Sequence, residues 1–397
     1  MTNALTDDAL EDVALLRAIA TAVIRLADAT QHGVSLPYDA EAVRALNATV
    51  LACLTRGAEP PMSLPDLLRW CRTRPVEDWP LELPADAFGP EDRLLDEISG
   101  EPTQLCHEWW VQGRDSAAAE FDRTIIRAAM QLCQQASSPE SYTAFRRLLV
   151  TTPVLTAEIG FEIATDLYLE PVRALLERIY LPAPAGYCRG GRFITCGRCG
   201  TLLTPTIEGG WWCERDQCRS RGPAPFGREL VVSDVGQVSH LARPLRQFVT
   251  GPGLAEIDLE ARLKTMRGLR VQMWPGYDAY DIRITFPDNH VWAVDVKDWA
   301  HPGLLGRSAR PVRPEPGYDE AFWVVPQFRV ETRRDYLGIF ARNRPARAAG
   351  LELLTDRQFL RAVAERLRDC TPASATEFTA TVLTATDKPT LQGDPHA

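Results

Sequence analysis

The stretch YDIRITFPDNHVWAVDVKDW, Tyr280 to Trp299, holds two acids and a lysine in strand-like context. Asp281 opens one run and Asp295-Val296-Lys297 closes the next. Successive strand side chains point to opposite faces, so Asp295 and Lys297 share a face while Val296 turns to the core. The turn FPDN, Phe286 to Asn289, lets the two strands run antiparallel and carries Asp281 toward that pair. Two carboxylates and a lysine at one sheet edge can bind Mg²⁺ or Mn²⁺ and position a water beside a phosphate. The competing reading is a pair of solvated strands with ordinary charges. Against it, Val294 and Val296 flank Asp295, an apolar setting where a carboxylate needs a partner or a metal. Lysine is also rare: among 44 basic residues only Lys264, Lys297 and Lys388 are lysines. Lys297 therefore suggests a need for a compact point charge rather than a guanidinium fork.

A second group is built from sulfur. Cys196-x-x-Cys199 precedes Cys213 and Cys218, two knuckles separated by a short hairpin. Gly197 and Gly200 permit the tight turn that aims two thiolates at one ion. Four thiolates in tetrahedral array make a structural Zn²⁺ site with no position left for a catalytic water. Cys188, just upstream, is an alternative ligand. Cys53, Cys71, Cys106, Cys133 and Cys370 read as small buried residues on helices, and Cys106-His107 has no visible partners for a shared ion. Arg189, Arg192, Arg198, Arg215, Arg219 and Arg221 surround the knuckles, and Trp211-Trp212 adjoin Cys213. They offer phosphate contacts and base stacking, or else an aromatic ring packed beneath the metal.

The elements that must position these groups follow from periodicity. Leu254 to Gly268 reads as a helix with Leu259 and Leu263 on its apolar side and Glu256 and Glu260 on a neighbouring face. The next stretch reads as a strand running into a loop at Pro275-Gly276. After the D-x-K run, His301 to Asp319 reads as a proline- and arginine-rich loop placed to cover the site. A buried strand within Ala321 to Val330, a helix near Asp335 to Arg344, and a closing strand and helix would complete a mixed sheet flanked by helices, an α/β unit over about 240–370. Upstream, residues 1–182 read as helices: Ala9–Asp28, Asp39–Thr55, Leu64–Arg74, Ala117–Ala136, Pro139–Leu149 and Ile163–Tyr180. Pro182-Ala-Pro-Ala-Gly186 marks a boundary before the cysteine region, 186–230. Residues 371–397, rich in Thr, Ala and Pro, read as a disordered tail. The acidic N-terminus is unlike a signal peptide and no stretch is a membrane span, so a reducing cytoplasm is expected, where grouped cysteines bind metal. The net charge of −9 argues against a general nucleic-acid coat protein, leaving local arginine-rich faces to make any contact with DNA.

Helix, strand, acid, hairpin and D-x-K in this order resemble the PD-(D/E)xK restriction-endonuclease-like superfamily. That resemblance implies that Asp281 is the motif aspartate, Asp295 the second metal ligand, and Lys297 the group that orients water or stabilises developing charge. It also implies a helix glutamate, Glu256, with Glu260 as the fallback. Two departures stand out: Tyr280 occupies the place of the motif proline, and Asp278 and the turn's Pro287-Asp288 are competing acids. With the zinc ribbon and the helical N-terminal region, the chain resembles the restriction-endonuclease-like protein encoded beside prokaryotic PIWI/Argonaute-type (pPIWI-RE) proteins. That family implies defence against phage or plasmid DNA alongside an Argonaute-type protein and a helicase. The implied activity is a metal-dependent DNA endonuclease, with a homodimer as one route to a double-strand break. The rival is a non-catalytic DNA-binding adaptor that recruits those partners. A zinc-ribbon transcription regulator is disfavoured because no helix-turn-helix with a basic recognition helix is apparent.

Overall fold

The computed structural model describes residues 7–32, 37–84, 86–111, 117–206 and 208–370. The expected tail lies outside them. In the helical region, α1 (Asp7–His32), α2 (Ala40–Thr55), α3 (Leu64–Thr73) and α4 (Gln104–Val111) close around Leu16, Ile19, Leu67 and Trp109. Local chemistry sets their starts. The Asp39 side chain accepts from the amides of Glu41 and Ala42, and Ser63 accepts from Asp66. Two further helices, α5 (Ala117–Gln135) and α6 (Pro139–Thr151), turn their apolar faces elsewhere. Ile125, Ala129, Tyr142, Phe145 and Leu149 join one continuous core with the C-terminal sheet.

The single helix expected over Ile163–Tyr180 is instead two helices, Ala157–Thr165 and Arg173–Ile179, joined by a 3₁₀ segment. Asp166 caps the amide of Tyr168 and Pro171 removes a donor, so an α-helix does not continue through them.

The cysteine region is built from two short antiparallel pairs. Arg192–Cys196 pairs with Phe226–Val231, and Thr204–Pro205 pairs with Trp211–Trp212.

The C-terminal sheet has five strands: β1 (Arg270–Met273), β2 (Ile282–Thr285), β3 (Val291–Val296), β4 (Glu320–Val325) and β5 (Glu352–Thr355), in spatial order 5-4-3-2-1. The first three form an antiparallel meander and the last two run parallel to β3, giving a mixed sheet. Alternation along β3 splits the core. Trp292, Val294 and Val296 pack under α7 (Gly251–Lys264) and a closing helix, Asp356–Cys370, through Leu259, Leu263, Phe359 and Val363. Ala293 faces the other layer, where Trp323, Leu305, Tyr336 and Phe340 meet.

The stretch expected as a loop after Lys297 contains a helix, Pro302–Ser308. His301 Nδ1 accepts from the Leu304 amide at 2.9 Å and Pro302 opens the first turn, a capped start that the Pro-Gly pair obscures in the sequence. The remainder does strap the sheet: Tyr280 Oη donates to the Pro316 carbonyl at 3.0 Å. No helix of the described residues is long and apolar enough to cross a membrane.

Candidate active site and metal centre

The sheet forks at Asp281. Its amide donates to the Val294 carbonyl at 3.0 Å, the last rung joining β2 to β3 on this side. Two residues further along β3, the Asp281 carboxylate replaces the backbone and accepts from the Val296 amide at 2.6 Å. The aspartate is therefore buried and fixed, aimed across the opening. Asp295 lies opposite Trp323 of β4 in register, and Lys297 Nζ sits 3.4 Å from Asp295 and 5.0 Å from the Trp323 ring centre. The shared face expected for Asp295 and Lys297 is what strand alternation delivers.

Helix α7 brings two glutamates to different ends. Glu256 is buried, and Trp274 Nε1 donates to its carboxylate at 2.6 Å. Glu260 lies one turn on, where Arg147 donates to both of its oxygens at 2.9 and 3.0 Å and Lys264 pairs with it at 2.8 Å. Glu260 is thus neutralised in a finished ion-pair cluster, whereas Glu256 faces Asp281 and Lys297. Asp278 is also close. It carries a left-handed backbone, accepts from Tyr142 Oη at 3.1 Å, and lies 3.4 Å from Arg146 Nε. Asp288 stays in the hairpin turn, paired with Arg366.

The electrostatics of this corner are unbalanced. Burial pushes the Asp281 carboxyl well above its usual range, and the charges of Glu256, Asp295 and Asp278 add to that against Lys297. Burial likewise raises Glu256, with Arg146 opposing and Asp278 reinforcing. Burial alone would lower Lys297, but Asp295, Asp281 and Glu256 outweigh it and hold the ammonium protonated. Four carboxylates (Glu256, Asp278, Asp281 and Asp295) thus share two cations, Arg146 and Lys297. With all four carboxylates ionised, the deficit would equal the charge of one divalent ion, and hard oxygen donors suit Mg²⁺ or Mn²⁺. The acids are not drawn into a tight cage. Among the described residues, only the four cysteines bring three or more candidate ligand atoms within 4.8 Å of one another.

That cysteine set, Cys196, Cys199, Cys213 and Cys218, is buried throughout and can hold a metal ion such as zinc. Gly197 is needed because a Cβ there would lie 3.1 Å from the Pro225 carbonyl oxygen, and Gly200 adopts φ +74°. Cys188 stays outside the set. Cys53, Cys71, Cys106 and Cys133 are buried as expected, and Cys370 is half-buried.

The surrounding arginines behave differently from a phosphate-reading surface. Arg198 donates to the carbonyls of Cys218, Arg221 and Gly222, tying one knuckle to the other. Arg189 bonds the carbonyls of Thr206 and Gly209, Arg192 pairs with Glu229, and Arg219 bonds the Cys213 carbonyl and covers Trp212. Only Arg221 of the six has no side-chain partner among the described residues. Trp212 is buried while Trp211 is half-exposed, under Arg189.

Arg215 is buried and joins the knuckle to Asp298, the residue after Lys297, at 3.3 Å. Arg329 bonds both Asp298 and Asp216, and Glu214 binds Arg246. From the helical region, Glu108 accepts from the Ala300 and His301 amides at 2.6 and 2.8 Å. The strand bearing Lys297 is therefore held at its exit by groups from all three parts of the chain. Sequence reasoning singles out Arg215 only as a phosphate contact and finds none of the other junction residues, nor Arg146 and Trp274, because their partners lie tens to hundreds of positions away and carry no local period.

Two family models match. The pPIWI_RE three-gene island domain Y covers residues 15–156, and the REase associating with pPIWI_RE covers residues 253–371. The second takes in α7 from its third residue on, the sheet and every acid of the candidate site. No curated protein and no solved structure matches the chain. With a domain of the pPIWI_RE island in its first half and the associated restriction-endonuclease-like domain in its second, the chain belongs to the restriction-endonuclease-like proteins of pPIWI_RE systems.

Proposed function

We propose that the protein is a Mg²⁺- or Mn²⁺-dependent DNA endonuclease acting in defence against phage or plasmid DNA, with a structural zinc in its cysteine cluster. The observation that carries this reading is the sheet fork, where buried Asp281, fixed by the Val296 amide, and buried Glu256 stand beside the Asp295–Lys297 pair. Asp281, Asp295 and Glu256 would hold the divalent ion, which when bound supplies a water of lowered pKa and neutralises phosphate charge. Lys297, kept protonated by its acids, donates to the phosphate oxygen on which charge develops. Trp274 fixes the Glu256 carboxylate so that it reaches the ion directly or through water. Glu260, the fallback, has no role at the ion because Arg147 and Lys264 already occupy it.

Exposed Arg310 and Arg313 on the strap have no ion-pair partner among the described residues and would track a DNA backbone. One site cuts one strand, so a double-strand break needs a second protomer or a partner. The Argonaute-type protein and helicase of such systems are the natural partners, and the cytoplasm the natural compartment. The adaptor alternative offers no reason for a half-buried lysine to stand against three acids. The test is cleavage of single- and double-stranded DNA in Mg²⁺ or Mn²⁺. Asp295→Ala and Lys297→Ala should melt like wild type and lose at least about 10²-fold in rate. Equal rates in those variants would remove the assignment.

A further inference from the structure

Helix α6 lies outside the restriction-endonuclease-like match, yet it sends an arginine into that domain's acid corner. Two close contacts set the crossing of α6 on α7. A Cβ at Gly253 would collide with Val150, and Thr250 Oγ1 donates to the Leu149 carbonyl at 2.7 Å. Arg146 lies one turn before Val150 and Glu256 three residues after Gly253, so the two side chains meet inside the crossing. The guanidinium is buried, 3.6 Å from Glu256 and 3.4 Å from Asp278, and lies 5.5 Å from the Trp274 ring centre.

The next residue gives the contrast. Arg147 makes two well-formed hydrogen bonds to Glu260, but Arg146 Nε, though buried, makes none. A buried N–H left unbonded costs roughly 1–3 kcal/mol, so charge rather than geometry holds this side chain in place. The segment in front of it is strained too: Trp274, Tyr277 and Asp278 all have positive φ, at 46°, 58° and 69°. Tyr142 of α6 and Glu256 of α7 hold that segment through Asp278 and Trp274.

We propose that Arg146 is the resident counter-ion of the acid corner, holding Glu256 and Asp278 in the metal-free protein and giving way when a divalent cation binds. This rests on the metal-dependent reading above. A divalent ion brings twice the charge and direct oxygen coordination, which a guanidinium held only by ion pairs at 3.4 and 3.6 Å cannot match. Its displacement moves Asp278 and α6, so the helical region registers whether the nuclease centre is loaded.

The test is calorimetric titration of the full, zinc-saturated chain with Mn²⁺, comparing wild type with Arg146→Gln. Removing the competing cation should tighten Mn²⁺ binding about tenfold. The variant's metal-free Tm should fall while its Mn²⁺-induced rise in Tm exceeds that of wild type. Unchanged or weaker binding in Arg146→Gln overturns the proposal while leaving the metal centre intact. No binding in either protein removes the metal-centre reading and this inference together. If Arg146→Gln does not fold, hydrogen exchange on wild type decides. Mn²⁺ should speed exchange in residues 142–148 and 274–279 while protecting the Asp281 and Val296 amides. Protection of every one of these segments contradicts displacement.

Discussion

The protein holds two clusters of side chains of the kinds that ligate metals, and they are built in opposite ways. The cysteine set is closed: four buried thiols lie within 4.8 Å, Gly197 and Gly200 fix the turn of the first knuckle, and the nearby arginines fasten backbone to backbone. The acid set is open: its carboxylates are spread around a sheet fork, burial raises two of them, and one of their two cations is held without a hydrogen bond at Nε. A closed set resembles a fastener and an open one a place where charge must change during work. The two are nonetheless connected, since the second knuckle supplies Arg215 and Asp216 to the network that holds Asp298, next to Lys297.

That contrast can be broken or sharpened in order of expected effect. Zinc removal by a chelator, or Cys196→Ser, should cost on the order of 10 kcal/mol at the ribbon. Because the knuckle bonds Asp298 and Arg329, calorimetry should show the nuclease transition moving down as well. A nuclease transition that stays put would break the connection. Next, Arg329→Met leaves buried Asp298 with Arg215 as its one remaining cation and half-buried Asp216 without its ion pair, and should destabilise by about 3 kcal/mol in denaturant melts. A loss below 1 kcal/mol would mean that the pair is solvated.

Asp281→Asn should act in the opposite direction. The folded pKa of Asp281 is raised, so its protonated form favours the native state at low pH and that contribution is lost as pH climbs through the folded pKa. Asparagine keeps the acceptor for the Val296 amide without the charge. The metal-free variant should therefore gain about 1 kcal/mol or more at pH 8, while Mn²⁺ no longer raises its Tm. A destabilised Asp281→Asn at pH 8 would contradict the account of the fork.

The smallest effect concerns Glu108, which burial raises to about 7 against Arg329 and the amides of Ala300 and His301. By the same sign, its contribution is full below its unfolded value and is lost as pH rises through about 7. Glu108→Gln should flatten the slope of Tm against pH between about 6 and 8. An unchanged slope would place that titration elsewhere.

How much of this was legible in the sequence divides along the same line. The cysteine knuckles, the hairpin, the D-x-K strand and the order of elements rest on short-range spacing and period, and the structure has them where the residues put them. The preference for Glu256 over Glu260 rests on family resemblance; the contacts of Glu260 with Arg147 and Lys264, which set the two glutamates apart in the structure, are not disclosed by sequence alone. The helix at Pro302–Ser308 was hidden because its cap is a histidine nitrogen and its first residues, Pro-Gly, also suit a turn. The break after Thr165 was hidden because apolar period runs on through Asp166 and Pro171. The arginines around the cysteines looked like a nucleic-acid surface by composition, yet their partners are backbone carbonyls that become neighbours only after folding. Arg146 was unreadable for the same reason: nothing in FRRLL separates an arginine bound for an acid corner from one bound for solvent.

The most direct measurement is nicking of supercoiled plasmid by the zinc-loaded protein with and without Mn²⁺, wild type against Asp295→Ala. The account predicts Mn²⁺-dependent nicking by wild type and its loss in the variant, both proteins melting alike. Nicking at equal rates in the two would contradict it, since the strand carrying Asp295 and Lys297 would then have no part in the chemistry.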